Sequence, residues 1–232
     1  MLDALLQPID WILHVDAHLD TFIKDHGTWV YLLLFAVVFV ETGVVVMPLL
    51  PGDSLLFAVG MISARSPDLN LWLVMGLLTV AAVLGDAVNY HIGKYLGPKI
   101  FRYEAVADQK PTLFMRLLNR QHLLRANDFY VKYGGKAVVL GRFVPVVRTF
   151  VPFVAGAGAM NYAKFVWYNV LGAVLWVGIC VGAGYLLGDV PWIKRNFGGV
   201  VLAIIVVSLI PIVVEWILAT KRAKAAKQKS ET

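Results

Sequence analysis

The chain has 232 residues, of which 59% are hydrophobic and only 16% charged, and its mean hydropathy is +0.72. A soluble domain holds about 45–50% apolar and about 25% charged residues, so a chain of this size cannot hide its excess apolar surface in one core, and an ordinary soluble enzyme is excluded. The lone cysteine, Cys180, lies in an apolar run and rules out a disulfide framework or a cysteine metal site; the net charge of +6 comes from basic residues that flank apolar runs, which points to membrane topology and away from nucleic acid.

Residues 1–27 open the chain with Asp3, Asp10, Asp16, Asp20 and Asp25 against a single Lys24. Such an acidic start lacks the basic region of a cleavable signal peptide. Ile12, Val15, Leu19 and Phe22 recur at helical spacing while Asp16, His18 and Asp20 take other faces. This predicts an amphipathic helix lying in the interface, too polar to span. His14 and His18 stand one turn apart, but with no third ligand near them no metal and no cofactor are expected.

Residues 28–97 form the first of two repeats. Within 29–64 the chain is apolar but broken: Glu41 sits in mid-run, and Pro48, Pro51, Gly52 and Asp53 precede a second apolar piece. Proline removes a backbone donor and glycine permits unusual dihedrals. Broken helices at membrane depth are tolerated only where protein or a wet cavity surrounds them. The stretch therefore reads as a re-entrant helical hairpin bent at 48–53. A complete crossing follows at 71–93, with Asp86 and Asn89 toward its end. Those two residues either extend a polar pathway or mark a helix end near the interface. Residues 98–136 are basic; Leu113, Leu117 and Leu124 make this segment amphipathic, and it should rest on the cytoplasmic surface.

The second repeat covers 137–188. Arg142, Pro145, Arg148 and Pro152 interrupt the apolar run 137–159, which reads as a second re-entrant hairpin, and 163–187 form the next crossing. A last crossing over 197–219 leads to a basic tail at 220–232. Trp29, Trp72, Trp192 and Trp216 stand near the expected span ends and suit interface anchors. If both hairpins turn back, the basic segment and the tail share the cytoplasmic side. The two halves also align without gaps: Val83 with Val174, Leu84 with Leu175, Gly93 with Gly184, Leu96 with Leu187, and Gly97 with Gly188. A repeat that crosses an odd number of times must be followed by one of opposite orientation, the inverted-repeat logic of secondary transporters. The expected fold is an all-α polytopic membrane protein in one domain, an inverted repeat of re-entrant hairpin plus transmembrane helix, with an N-terminal amphipathic helix and a C-terminal transmembrane helix.

Four charges lie in the broken runs. A charge at the centre of a membrane helix costs at least about 2.5–3.5 kcal/mol. Glu41 and Asp53 from one hairpin balance Arg142 and Arg148 from the other, so the hairpins should face each other. Such pairs either lock the hairpins together or form a functional site. Arginine presents a planar fork that suits phosphate and keeps its charge, whereas a carboxylate can take up a proton. Arg142 and Arg148 are thus candidate substrate-binding residues, and Glu41 and Asp53 candidate proton-coupling residues.

At these positions the chain resembles the DedA family of bacterial inner-membrane proteins, within the VTT-domain superfamily. The likeness is carried by Glu41-Thr42-Gly43 with Pro48-Leu49-Leu50-Pro51-Gly52-Asp53-Ser54-Leu55-Leu56, by Gly141-Arg142-Phe143-Val144-Pro145-Val146-Val147-Arg148-Thr149-Phe150 with Pro152-Phe153-Val154-Ala155-Gly156, and by Gly85-Asp86-Ala87-Val88-Asn89-Tyr90. The resemblance implies two opposed re-entrant hairpins, and a functional requirement for Glu41, Asp53, Arg142 and Arg148. It also implies proton-motive-force-dependent recycling of undecaprenyl phosphate to the cytoplasmic leaflet; eukaryotic relatives are lipid scramblases. The expectation is a multi-pass inner-membrane lipid flippase with a cytoplasmic C-terminus. Its partners would be an anionic polyprenyl phosphate or phospholipid, protons and the membrane, with a homo-oligomer left open. The alternative is a proton-coupled antiporter of ions or small solutes. An enzyme is not expected: the broken segments contain no histidine that a lipid phosphatase could use.

Overall fold

The computed structural model describes residues 27–44, 52–66, 69–103, 120–188, 190–196, 199, 200 and 203. The amphipathic helix expected at the N-terminus, His14, His18, Pro48, Pro51, Leu113, Leu117, almost all of the crossing expected over 197–219, Trp216 and the basic tail lie outside them. Among the described residues the chain is helical, with α1 at Trp29–Gly43, α2 at Gly52–Arg65, α3 at Leu71–Tyr103, α4 at Arg120–Tyr133, α5 at Lys136–Gly141, α6 at Pro145–Arg148, α7 at Val151–Ala157, α8 at Tyr162–Gly188 and α9 at Pro191–Arg195.

Two helices dominate. The apolar part of α3, Leu71–Gly97, and the whole of α8 are 27 residues each, with mean hydropathies of 2.1 and 2.2. About 20 such residues suffice to cross a bilayer. Both helices start on an asparagine cap. The Asn70 side-chain oxygen accepts the amides of Trp72 and Leu73 at 3.0 and 3.1 Å, and that of Asn161 accepts the amides of Ala163 and Lys164 at 3.0 and 3.3 Å. Each cap satisfies donors that the first helical turn leaves without partners. Leu73, Val80, Leu84 and Val88 of α3, and Trp167, Val174, Ile179 and Leu186 of α8, are exposed apolar side chains, a surface suited to lipid rather than water.

Three boundaries differ from the sequence reading. Helix α3 runs on to Tyr103, beyond the expected end at residue 93, which places Asp86 and Asn89 well inside it. The second broken segment is cut into α5, α6 and α7, where a two-armed hairpin was expected. Val144 is extended (φ −112°, ψ 105°), and Pro145 and Pro152 each stand in the first turn of the helix that follows, where a missing N–H costs least. Pro191 likewise opens the short helix α9, between the crossings expected over 163–187 and 197–219.

The packing crosses over between halves. Helix α1 lies on α3 and α5 touches α8, so each first arm packs on the long helix of its own half; α2 lies on α8 and α7 on α3, so each second arm packs on the other half's long helix. Glycines set the register of both crossed pairs. Gly60 meets the Val181 carbonyl as Gly156 meets that of Tyr90, and Gly184 meets the Phe57 carbonyl as Gly93 meets that of Phe153. A methyl group at any of the four would collide with the facing carbonyl. One step further, Gly188 touches Met61 and Gly97 touches Ala157. On α3 and α8 the glycines that correspond, Gly93 with Gly184 and Gly97 with Gly188, are those that the sequence alignment pairs.

Two apolar clusters result. One joins Val30, Leu34 and Val38 of α1 to Leu56 and Val59 of α2, Val74 and Leu78 of α3, and Val177 and Val181 of α8. The other gathers Val138, Phe150, Phe153, Val154 and Phe165 around Tyr90, whose hydroxyl donates to the Met160 carbonyl. Asp86 sits on α3 between the residues that serve the two clusters.

Candidate functional site

The broken segments exist because Gly52, Pro145 and Pro152 start new helices, and the helix ends so created carry the charged side chains. Glu41 lies in the last turn of α1 and Asp53 in the first turn of α2. Arg142 caps α5, and Arg148 is the last residue of α6.

Arg148 bridges both acids. Its Nη1 donates to Asp53 Oδ1 at 2.7 Å and its Nη2 donates to Glu41 Oε1. The Glu41 side chain is 1% exposed, Arg148 13% and Asp53 26%. Gly52 is pressed against the Glu41 carboxylate, with no room for a Cβ. A side chain there would push the acid off the arginine.

Arg142 takes other partners. Its Nη2 donates to Asp86 Oδ2 at 2.6 Å and to Asn169 Oδ1 at 2.5 Å, with the Ala82 carbonyl further off at 3.4 Å. Asn169 in turn donates to the Val83 carbonyl at 3.0 Å, tying α8 to α3. Arg142, Asp86 and Asn169 are all buried. Trp176 connects this group to the first, and Asn89 braces the first. Trp176 donates its indole N–H to Asp53 Oδ1 at 2.8 Å, and its ring lies 5.6 Å from the Arg148 guanidinium carbon and 5.9 Å from that of Arg142, within reach of a cation–π attraction. Asn89 donates to the carbonyls of Thr149 at 2.7 Å and Thr42 at 3.2 Å, beside Arg148 and Glu41 respectively.

The expected facing of opposite charges is thus met by Arg148 and overturned for Arg142, which pairs with Asp86. Three carboxylates stand against two guanidiniums, and the expected balance of two against two gives way to one carboxylate in excess. The cause is the length of α3: because the helix continues, Asp86 and Asn89 are buried in its interior, and the account of them as an interfacial helix end falls. The sequence reading also missed Asn169, Trp176, Thr42 and Thr149. The available signal was a solitary amide in 165–187, a stretch free of charge, with a tryptophan two turns on, far from either end.

Glu41, Thr42, Asp86, Arg142, Arg148, Thr149 and Trp176 line a small cavity that holds about one water molecule. Arg142 Nε and Thr149 Oγ1 are buried without a hydrogen-bond partner among the described residues. An arrangement of this kind can exchange one anion for another at a guanidinium, or a proton at a carboxylate.

Helices twice interrupted around a shielded charge cluster, carried by two helices long and apolar enough to cross a bilayer, define a helical membrane protein with a polar site at its centre. The chain belongs to the DedA family of VTT-domain proteins: the VTT domain matches residues 50–186. It is 45% identical over 229 residues to the protein DedA of Escherichia coli K12, covering 98% of this chain and all of that one. It is 38% identical over 182 residues to an uncharacterized membrane protein of Mycobacterium tuberculosis, covering 78% of this chain and 76% of the relative. The inner membrane protein YqjA of Escherichia coli K12 is 36% identical over 161 residues, 69% of each chain. No solved structure matches.

Proposed function

We propose that this chain is an inner-membrane transporter that carries an anionic lipid phosphate, undecaprenyl phosphate, to the cytoplasmic leaflet with proton coupling, making and breaking no covalent bond. Support for the membrane comes from the relative named as an inner membrane protein and from the apolar outer faces of α3 and α8. Support for an inverted repeat of re-entrant hairpins comes from the matched glycine–carbonyl contacts of the two crossed helix pairs. The basic residues of 98–136 and of the tail favour the cytoplasm for both.

The observation that carries the reading is Arg148 held between Glu41 and Asp53. Its two terminal nitrogens are occupied by one oxygen from each acid, the places that two oxygens of a single phosphate would take in a bidentate pair. The cavity is too small for that head group while the ion pairs persist. A proton on either acid weakens its hold, the phosphate then displaces it, and loss of the proton on the cytoplasmic side restores the pair and expels the head group. The polyprenyl tail stays in lipid beside the helices. The test is leaflet-resolved measurement of undecaprenyl phosphate in liposomes holding the purified chain, with and without a pH gradient. Equal transfer in empty liposomes would end the proposal.

The excess carboxylate favours a second reading, a proton-coupled antiporter of ions or small solutes. Against it stand two guanidiniums, which repel cations. Cation flux in liposomes devoid of lipid phosphate would establish it.

A further inference from the structure

We infer that the two arginines have different tasks: Arg148 alone meets the lipid phosphate, and Arg142 is a positioning residue fixed by Asp86 and Asn169. The inference rests on the transport reading above and assigns the head group to one side chain within it.

Accessibility separates the two. Arg142 and Asp86 are each 5% exposed and form a one-to-one buried pair. Gly172 of α8 lies so near the Arg142 side chain that a Cβ there would crowd its Cδ and Nε. Arg148 is the more open arginine, and Asp53 beside it is the most open acid of the cluster. An anion approaching the cluster meets this edge first.

Mechanical setting separates them further. The partners of Arg142 stand on α3 and α8, and Asn169 is itself tied to the Val83 carbonyl. Freeing Arg142 requires the two long helices to part. The partners of Arg148 stand at the two ends of the first break, Glu41 closing α1 and Asp53 opening α2. Freeing Arg148 requires these helix ends to shift and the Trp176–Asp53 hydrogen bond to part, while the long helices stay packed. Nη1 and Nη2 of Arg148 hold two different carboxylates, which one phosphate can replace oxygen for oxygen; Arg142 gives a single Nη to both its acid and its amide, and it is burial that keeps its unpartnered Nε from an incoming anion. Arg142 acts on the site through Trp176, whose ring lies near both guanidiniums and whose N–H orients Asp53.

The experiment measures transfer of a prenyl phosphate in liposomes against its concentration, normalised to folded protein, so that half-saturation and maximal rate separate. Arg148→Lys should raise half-saturation about tenfold, because the fork is lost while the charge stays. Asp86→Asn should lower the maximal rate about threefold or more with half-saturation within about twofold. Arg142→Met should lose most of the flux, and pairing it with Asp86→Leu should recover it, because an apolar pair replaces a buried ion pair far better than half of one does. A folded Arg142→Met/Asp86→Leu protein whose half-saturation rises as far as that of Arg148→Lys would overturn the assignment. Should that double variant fail to fold, the same rise in Asp86→Asn overturns it equally. If the wild-type chain transfers no lipid phosphate, the transport reading fails separately. Calorimetric binding of a short-chain prenyl phosphate to the detergent-solubilised protein then decides between the arginines: weakening by Arg148→Lys and not by Asp86→Asn supports the division, and equal weakening by both overturns it.

Discussion

Trp176 and Asp53 are joined by a 2.8 Å hydrogen bond from the indole N–H to Oδ1, so a residue in the interior of α8 holds the first turn of α2. The same carboxylate oxygen also accepts from Arg148, and Asp53 is therefore the point at which the second broken segment and the second long helix both grip the first broken segment.

Trp176→Phe keeps a smaller ring beside both guanidiniums and removes the donor. Because Asp53 is partly exposed, the hydrogen bond's share of the loss should be about 1.5 kcal/mol, the lower end for a bond to a charged group. Chemical unfolding in detergent measures it; stability equal to wild type would show that the bond contributes nothing.

Glu41 and Asp53 share one arginine but not one environment. Removing one partner of a fully buried pair costs about 3–5 kcal/mol; Glu41, at 1% exposure, comes nearer that condition than Asp53, at 26%, though Arg148 is 13% exposed and keeps its other acid in either variant. Glu41→Ala should therefore destabilise more than Asp53→Ala. Unfolding midpoints of the two variants in the reverse order would contradict the ion-pair geometry.

The crossed helix pairs make a paired prediction. Gly60→Ala and Gly156→Ala each drive a methyl group onto a facing carbonyl, and each should destabilise by about 1–3 kcal/mol, the range for overpacking. Gly76, in the interior of α3, has nothing near its would-be Cβ; Gly76→Ala should stabilise by about 0.5–1 kcal/mol through helix propensity. Thermal unfolding of the three variants side by side checks the sign of each.

Asn89→Leu keeps the branching at Cγ and withdraws the donor from two carbonyls, those of Thr42 and Thr149. A buried acceptor left without a partner costs about 1–3 kcal/mol. Reduced stability should appear together with reduced lipid transfer, since the two carbonyls adjoin Glu41 and Arg148. Loss of stability with full transfer would place Asn89 outside the site.

Much of this arrangement is legible in the sequence because water-seeking residues stand out in apolar runs. Glu41, Asp53 and Arg148 are conspicuous for that reason, and the structure gathers them. The long crossings at α3 and α8 follow from hydropathy alone. What the sequence hides is partnership. Arg142 reads as the equal of Arg148, since both lie in the same broken run, and nothing in residue spacing shows that α3 brings Asp86 to one and not to the other. Asn169 and Trp176 are hidden for a different reason. A neutral amide and an indole are tolerated in apolar helices, and their donors become significant only when a charge from another helix is seen beside them.

The crossover of second arms has a consequence for biogenesis. When α2 leaves the ribosome, the helix against which it must lie has not been synthesised, and α3 likewise waits for α7. Long-range contacts of this kind close large loops before they repay them. Neither half contains a finished core, so a chain severed in the basic segment between them should yield two fragments that are unstable apart and complete only as a pair. The crossed packing makes an interlocked object, in which each half is the scaffold on which the other matures.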